Sequence, residues 1–269
     1  MARYNKKRAR ELKHDAFRDK TMSVFDRLGD RFEGQGRTIL YAVAGLVLLA
    51  VLAGIFSWWR GKRADEARRA LGRAIEIAEA PVTPTPQPGA TGPTFTSDKE
   101  RAQRAVEEFQ KVEVKYGDPY KSLAHYFRAA NLLTVDRANG IKELETLAHN
   151  GNDDIAARAR FALAQAHEDE GQLAAAAALY AELAKANRDT VPADTANLHL
   201  AIIYDKQGKK KEAADILFQI VDAARKARDK DGKPIPASAA ARDAADRLQR
   251  IDPARYAQLP PEPPRDLPF

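Results

Sequence analysis

Residues 38–59, TILYAVAGLVLLAVLAGIFSWW, run for 22 positions without a charge or a proline. No other stretch constrains the chain as strongly. A helix of that length spans roughly 33 Å, enough for a bilayer core of about 30 Å. Arg37 and Arg60 bracket the run, Tyr41 lies near one end, and Trp58 and Trp59 close the other, where interfacial rings are expected. A cleaved signal peptide has a shorter charged region, a shorter apolar stretch and a small-residue cleavage site. Here 37 residues precede the run and it ends in Ser57-Trp58-Trp59-Arg60. A buried helix of a soluble core rarely stays uncharged for so long. Residues 37–59 are therefore expected to form a retained single-pass anchor, and Ala50 and Gly54 have the spacing that can seat a neighbouring helix.

Charge is distributed unevenly around this segment. The net charge is 44 − 38 = +6. Residues 1–37 carry 11 Lys/Arg against 6 Asp/Glu, residues 60–80 carry 6 against 4, and residues 98–269 carry 27 against 28. The basic excess thus lies before residue 81, and the C-terminal part is close to neutral. A nucleic-acid-binding domain would show a basic stripe on its folded part, so no nucleic acid is expected as partner. Close to the span the positive-inside comparison is nearly balanced, five Lys/Arg in 18–37 and six in 60–79. Six more in the N-terminal tail, together with the ease with which long domains translocate, favour a cytoplasmic N-terminus. Within the basic tail, residues 1–36, an apolar face of Leu12, Phe17, Val24, Phe25, Leu28 and Phe32 fits a helix over 8–32. Such a helix suits an anionic membrane surface or a cytoplasmic partner.

Prolines mark two further segments. None occurs before residue 81, five fall within 81–93 and six within 253–268. Residues 81–97 are expected to be a Pro-rich linker and residues 252–269 a disordered Pro-rich tail. Before the linker, Ala64, Ala67, Leu71, Ile75 and Ala78 mark one face of a juxtamembrane helix over 60–80. The absence of Cys rules out disulfides, thiolate nucleophiles and Cys-ligated zinc.

Residues 98–251 are Ala-rich, helical in period and internally repetitive. Ala130, Ala164 and Ala201 are 34 and 37 residues apart. Gly171 and Gly208 follow the last two by seven residues, Ala176 and Ala213 by twelve, and Tyr180 and Leu217 by sixteen. Small Ala164 and Ala201 let one helix approach the next. Gly171 and Gly208 end a helix in the left-handed backbone that glycine tolerates. Ala176 and Ala213 sit where the second helix crosses the following one.

This pattern resembles the tetratricopeptide repeat family, with a small residue and an aromatic in the first helix, a turn glycine, then Ala and an aromatic in the second. Residues 101–119 look like another second helix, with 62–80 as its partner across the Pro-rich stretch. The repeat at 120–149 is degenerate, with a turn over Val135–Gly140 and a short second helix. The expected fold is all-α: a single transmembrane helix, then a tetratricopeptide-repeat α-solenoid of about four helix pairs and a capping helix at 237–250. The layout as a whole resembles the YfgM-like family of bacterial inner-membrane proteins. That resemblance implies a periplasmic repeat domain and an ancillary role at the Sec translocon, with periplasmic chaperones or nascent chains as protein partners. A coordinator of cell-wall synthesis, secretion or pilus assembly, and a cytoplasmic-facing adaptor, are the alternatives that the same fold serves.

No catalytic constellation is legible. The five His are scattered, and no HExxH, phosphate loop or GxSxG elbow is present. The chain is not expected to be an enzyme, and no cofactor, metal or small-molecule substrate is expected. Glu168-Asp169-Glu170 reads as a solvated face, and His167 as a residue at least partly in the core. What remains is a binding face along the first helix of each repeat. Its partner-binding residues by register are Phe127, Asn131, Phe161, Gln165, Leu198 and Ile202, with Glu168 and Asp205 one turn on. The positions of the family's Lys/Asn/Arg carboxylate clamp hold Phe161, Gln165, Leu198 and His199, so that clamp is absent. An apolar groove with acidic flanks suits a hydrophobic or basic extended segment, unless Phe161 and Leu198 simply pack against the neighbouring repeat.

Overall fold

The structure, a computed structural model, describes residues 36–83 and 92–262, with side chains from Tyr41 onward. The expected amphipathic helix over 8–32, residues 84–91 of the Pro-rich stretch and residues 263–269 lie outside the described residues. Among the described residues ten helices follow one another: α1 (Gly36–Ala78), α2 (Asp98–Lys115), α3 (Tyr120–Val135), α4 (Arg137–Asn150), α5 (Asp153–Asp169), α6 (Leu173–Ala186), α7 (Ala193–Lys206), α8 (Lys210–Lys226), α9 (Ala239–Ile251) and the single turn α10 (Pro253–Tyr256). Among the described residues there is no strand, only three isolated bridges. The chain divides into two compact units, Met1–Ala64 and Asp65–Phe269, the boundary falling inside α1.

In the first unit α1 is long and apolar enough to cross a membrane. Its apolar side chains are exposed around the helix, Leu46, Leu49, Ile55, Phe56 and Trp58 among them. A helix that is apolar on all sides needs an apolar surrounding. Nothing within the described part of this unit buries it.

In the second unit the end of α1 is amphipathic. Ala67, Leu71 and Ala74 are buried in one cluster with Ala105, Phe109 and Val112 of α2 and Ala124 of α3, and Ile75 and Ala78 pack at its margin. The face expected from the sequence therefore packs against α2, although the two helices are separated by the proline-rich stretch. That stretch is pinned at its base. Thr83 N donates to Phe95 O (2.8 Å), Phe95 N donates to Pro81 O (3.2 Å), and Arg101 Nη1 donates to Ala80 O (3.3 Å).

From α2 on, each helix packs against its successor, and α3 also meets α5 as α7 meets α9. The helix starts are chemically marked. Ser97, Asp136, Asn152 and Ser238 each accept a backbone N–H three residues ahead, which satisfies one orphan donor of the first turn. The turns after α5 and α7 repeat in detail. Gly171 and Gly208 adopt φ of 73° and 78°. Gln172 N donates to His167 O (2.8 Å), and Lys209 N donates to Tyr204 O (2.9 Å). A bond from C″ back across the last turn over a left-handed glycine is the Schellman arrangement.

The α3–α4 junction departs from expectation. The turn placed over Val135–Gly140 is the single residue Asp136, which ends α3 and caps α4. The second helix is not short but 14 residues long, the same as α6. Gly140 lies inside α4, where a Cβ would stand 2.7 Å from Leu133 N. A glycine that sequence reading assigns to a loop is there for close approach of two backbones.

The tail also departs from expectation. Residues 252–260 are docked, not disordered: Leu259 is buried, and Tyr256 packs against the α7–α8–α9 core. Arg225 donates to Pro260 O and to Tyr256 Oη (3.1 Å), Arg255 pairs with Asp215, and Asp252 caps α10. Proline content concealed two apolar anchors, Tyr256 and Leu259, one helical turn from each other.

Gly140→Ala is expected to destabilise the full chain in detergent by about 1–3 kcal/mol, through backbone overpacking. Gly171→Ala has open space around it. It is expected to lose about 1–2 kcal/mol, from left-handed strain alone. Denaturant midpoints followed by helical ellipticity check both. A neutral Gly140→Ala would contradict the close approach.

Candidate partner-binding site

The first helices of successive pairs, α3, α5 and α7, carry the six residues singled out by register, and the structure treats them differently. Phe127 is half-buried and stacks on Phe109, centroids 5.3 Å apart and planes at 17°. Asn131 Nδ2 donates to the carbonyl of Phe127 (2.8 Å), so its amide is turned back onto its own helix. Gln165 is exposed. Leu198 is 7% exposed and belongs to the α7–α8–α9 core, which corrects its assignment to a groove. An aliphatic side chain at that register fills the gap to the capping helix and leaves little surface for a ligand.

Phe161 is half-buried at the centre of an aromatic group. It meets the edge of Tyr180 (5.7 Å, 68°) and of His199 (5.1 Å, 87°), and Tyr180 and His199 stack at 5.0 Å and 20°. The group joins α5, α6 and α7, and each such ring pair adds about 0.5–1.5 kcal/mol beyond its buried area. Burial pushes the Tyr180 phenol well above its ordinary range, and the nearby Glu168 carboxylate reinforces the shift. Tyr180 Oη donates to Glu168 Oε2 (3.3 Å), while Lys206 Nζ donates to Glu168 Oε1 (2.6 Å). The acidic run is therefore not one solvated face. Glu168 serves this group, and Glu170 accepts from Arg137 Nε (2.7 Å).

Ile202 opens onto a cavity of 260 Å³ between α7, α8 and α9. Ala201, Ile202, Leu217 and Ile251 give it an apolar lining, and Asp205, Arg247 and Arg250 bring charge to its wall. Arg247 Nε is held by Asp243 (3.0 Å), and Arg250 Nε donates to Asp246 O (3.2 Å). The register points to α3, α5 and α7 only. It misses Arg247, Arg250 and Ile251, because α9 lies beyond the last repeat. The i, i+3, i+4 spacing of those three was the available signal. Among the described residues no group of three His, Asp or Glu stands close enough to hold a metal ion. No family model matches the chain, and no curated protein or solved structure matches it.

Chemically, this face offers half-buried rings, an exposed amide and a mixed-charge cavity with an apolar lining.

His199 makes the aromatic group pH-sensitive. Burial lowers its pKa from the ordinary 6.5 and the positive charges of Arg247 and Lys206 act the same way, against Glu168 and Asp243. The folded state thus binds protons less readily than the unfolded chain. Its contribution to stability is complete above pH 6.5 and is lost as pH falls toward the depressed folded value. The melting temperature of the wild type is expected to drop more steeply below that pH than that of His199→Phe, which keeps the ring contacts without the charge. Parallel slopes would contradict the buried neutral imidazole.

Proposed function

We propose that the chain is a non-enzymatic, membrane-anchored protein-interaction scaffold whose helical domain is a tetratricopeptide-type α-solenoid. The observation that carries this reading is the combination in one chain of an exposed apolar helix and a helical stack with a repeated turn. Gly171 and Gly208 take the same left-handed conformation, with the same hydrogen bond across each turn. Stacked helix pairs with a repeated turn build an extended face suited to polypeptide partners rather than an enclosed reaction chamber.

In this reading the anchor is a single pass through a bacterial inner membrane, with residues 1–36 cytoplasmic and the helical domain periplasmic. The face containing Phe161, Gln165 and Ile202 then holds a hydrophobic or basic extended segment of a chaperone or of a chain emerging from the Sec translocon. The six Lys/Arg in 60–79, beside five in 18–37, are the observation favouring the reverse orientation, a cytoplasmic-facing adaptor.

Protease treatment of spheroplasts, with an epitope at each end of the chain, separates the two. Loss of the C-terminal epitope with survival of the N-terminal one is expected. Protection of the C-terminal epitope until the membrane is broken would overturn the periplasmic placement and favour the adaptor. A photo-crosslinker at exposed Gln165 is expected to capture translocon subunits or periplasmic chaperones. Crosslinks confined to cell-wall or pilus assembly proteins would move the scaffold to envelope assembly.

A further inference from the structure

The end of the apolar run carries an arrangement that membrane spanning alone does not require. Trp58 and Trp59 are adjacent and remain 62% and 51% exposed. Each is covered by a cation one helical turn further on. Lys62 Nζ stands 4.0 Å from the Trp58 ring centroid, and the Arg63 guanidinium 5.2 Å from that of Trp59. Phe56 precedes Trp59 at 6.5 Å between ring centroids. Two ladders therefore climb the helix surface, Phe56–Trp59–Arg63 and Trp58–Lys62, and polarity rises along both. Arg60 adds a third cation, and residues 56–63 contain no acid.

The spacing fits one kind of surrounding. Four residues of helix rise about 6 Å. The interfacial layer on each side of a hydrocarbon core is about 5–8 Å thick. Indoles at the acyl boundary thus bring the two cations to the level of the phosphates. Contact with a ring face holds an ammonium or guanidinium in a fixed orientation beside the indole. A phosphate anion alone would meet the cations but leave the indoles and Phe56 in water.

We propose that Phe56–Arg63 is a binding site for anionic glycerophospholipids: the indoles seat against the glycerol and upper acyl region, and Lys62 and Arg63 take the phosphodiester. The proposal rests on the membrane-anchor reading and adds to it a preference for one class of lipid.

The test uses the full chain reconstituted into vesicles of phosphatidylcholine mixed with phosphatidylglycerol. Spin-labelled forms of each lipid report their relative association with the protein, and brominated acyl chains report the depth of the two Trp residues. The wild type is expected to select phosphatidylglycerol, and the preference should fall roughly five-fold for each cation neutralised in Lys62→Gln and Arg63→Gln. Lys62→Arg should retain it, and added inorganic phosphate should leave it unchanged. Quenching of Trp58 and Trp59 without any lipid preference, or a preference that survives in the double variant, would overturn the headgroup site while the anchor stands. Loss of selectivity in millimolar inorganic phosphate would also overturn it, in favour of a free-phosphate site. Absence of quenching by brominated chains would overturn the anchor and the headgroup site together.

Discussion

Close approach of helices at alanine is the constraint on which the rest of the helical domain depends. Ala105, Ala124, Ala164, Ala176, Ala201 and Ala213 are between 0% and 1% exposed. They stand on six different helices, α2, α3 and α5 through α8. Interaxial distances of about 8–10 Å are set by the side chains at the contact, and alanine keeps helices at the short end of that range. Larger side chains then fill the spaces beside the crossings. Phe109, Leu144, Tyr180, Leu183 and Leu217 are almost completely buried there. A long side chain in place of an alanine forces the helices apart, and its neighbours lose contact with it.

A core of small side chains leaves helix ends near the surface of their neighbours, and arginines exploit this. Arg160 Nη2 donates to the carbonyl of Ala148 at the end of α4 (2.8 Å), and Arg137 Nη2 to that of Ala166 near the end of α5 (2.7 Å). The first satisfies one of the last-turn carbonyls that the helix cannot bond itself, and the second shares Ala166 O with the backbone N–H of Glu170 (3.2 Å). Arg128 of α3 plays a different part. Its Nε donates to Glu113 (2.9 Å) and its Nη1 to Glu143 (3.0 Å), tying α2, α3 and α4 together. The three side chains are 18–26% exposed. His125 stands 3.7 Å from each of the same two carboxylates, so removing Arg128 leaves them with only the imidazole between them.

How much of this was legible follows from the range of each interaction. The glycine turns and buried alanines are set by local backbone and by positions that recur, so Gly171, Gly208, Ala164 and Ala201 were readable from spacing. The packing of 67–78 against α2 was readable too, because its apolar face survives the intervening proline stretch. Gly140 was misplaced because a glycine required by a neighbouring helix resembles one required by a turn. The docking of Tyr256 and Leu259 was hidden by prolines around them, and its partners Arg225 and Asp215 lie more than thirty residues away. Along the first helices, register placed Phe161, Gln165, Leu198 and Ile202 alike, but it could not separate Leu198, which is buried in a core shared with α9, from half-buried Phe161 and exposed Gln165.

The most direct measurement compares two alanines on one helix. Ala176 of α6 is 0% exposed at a crossing, and Ala178, two residues on, is exposed. Leu has nearly the same helix propensity as Ala, so Ala→Leu at either position changes packing and little else. Equilibrium denaturation of the full chain in detergent should show Ala176→Leu losing about 1–3 kcal/mol and Ala178→Leu staying within about 0.5 kcal/mol of wild type. Equal stability of the two variants would contradict a stack held together by close approach at its alanines.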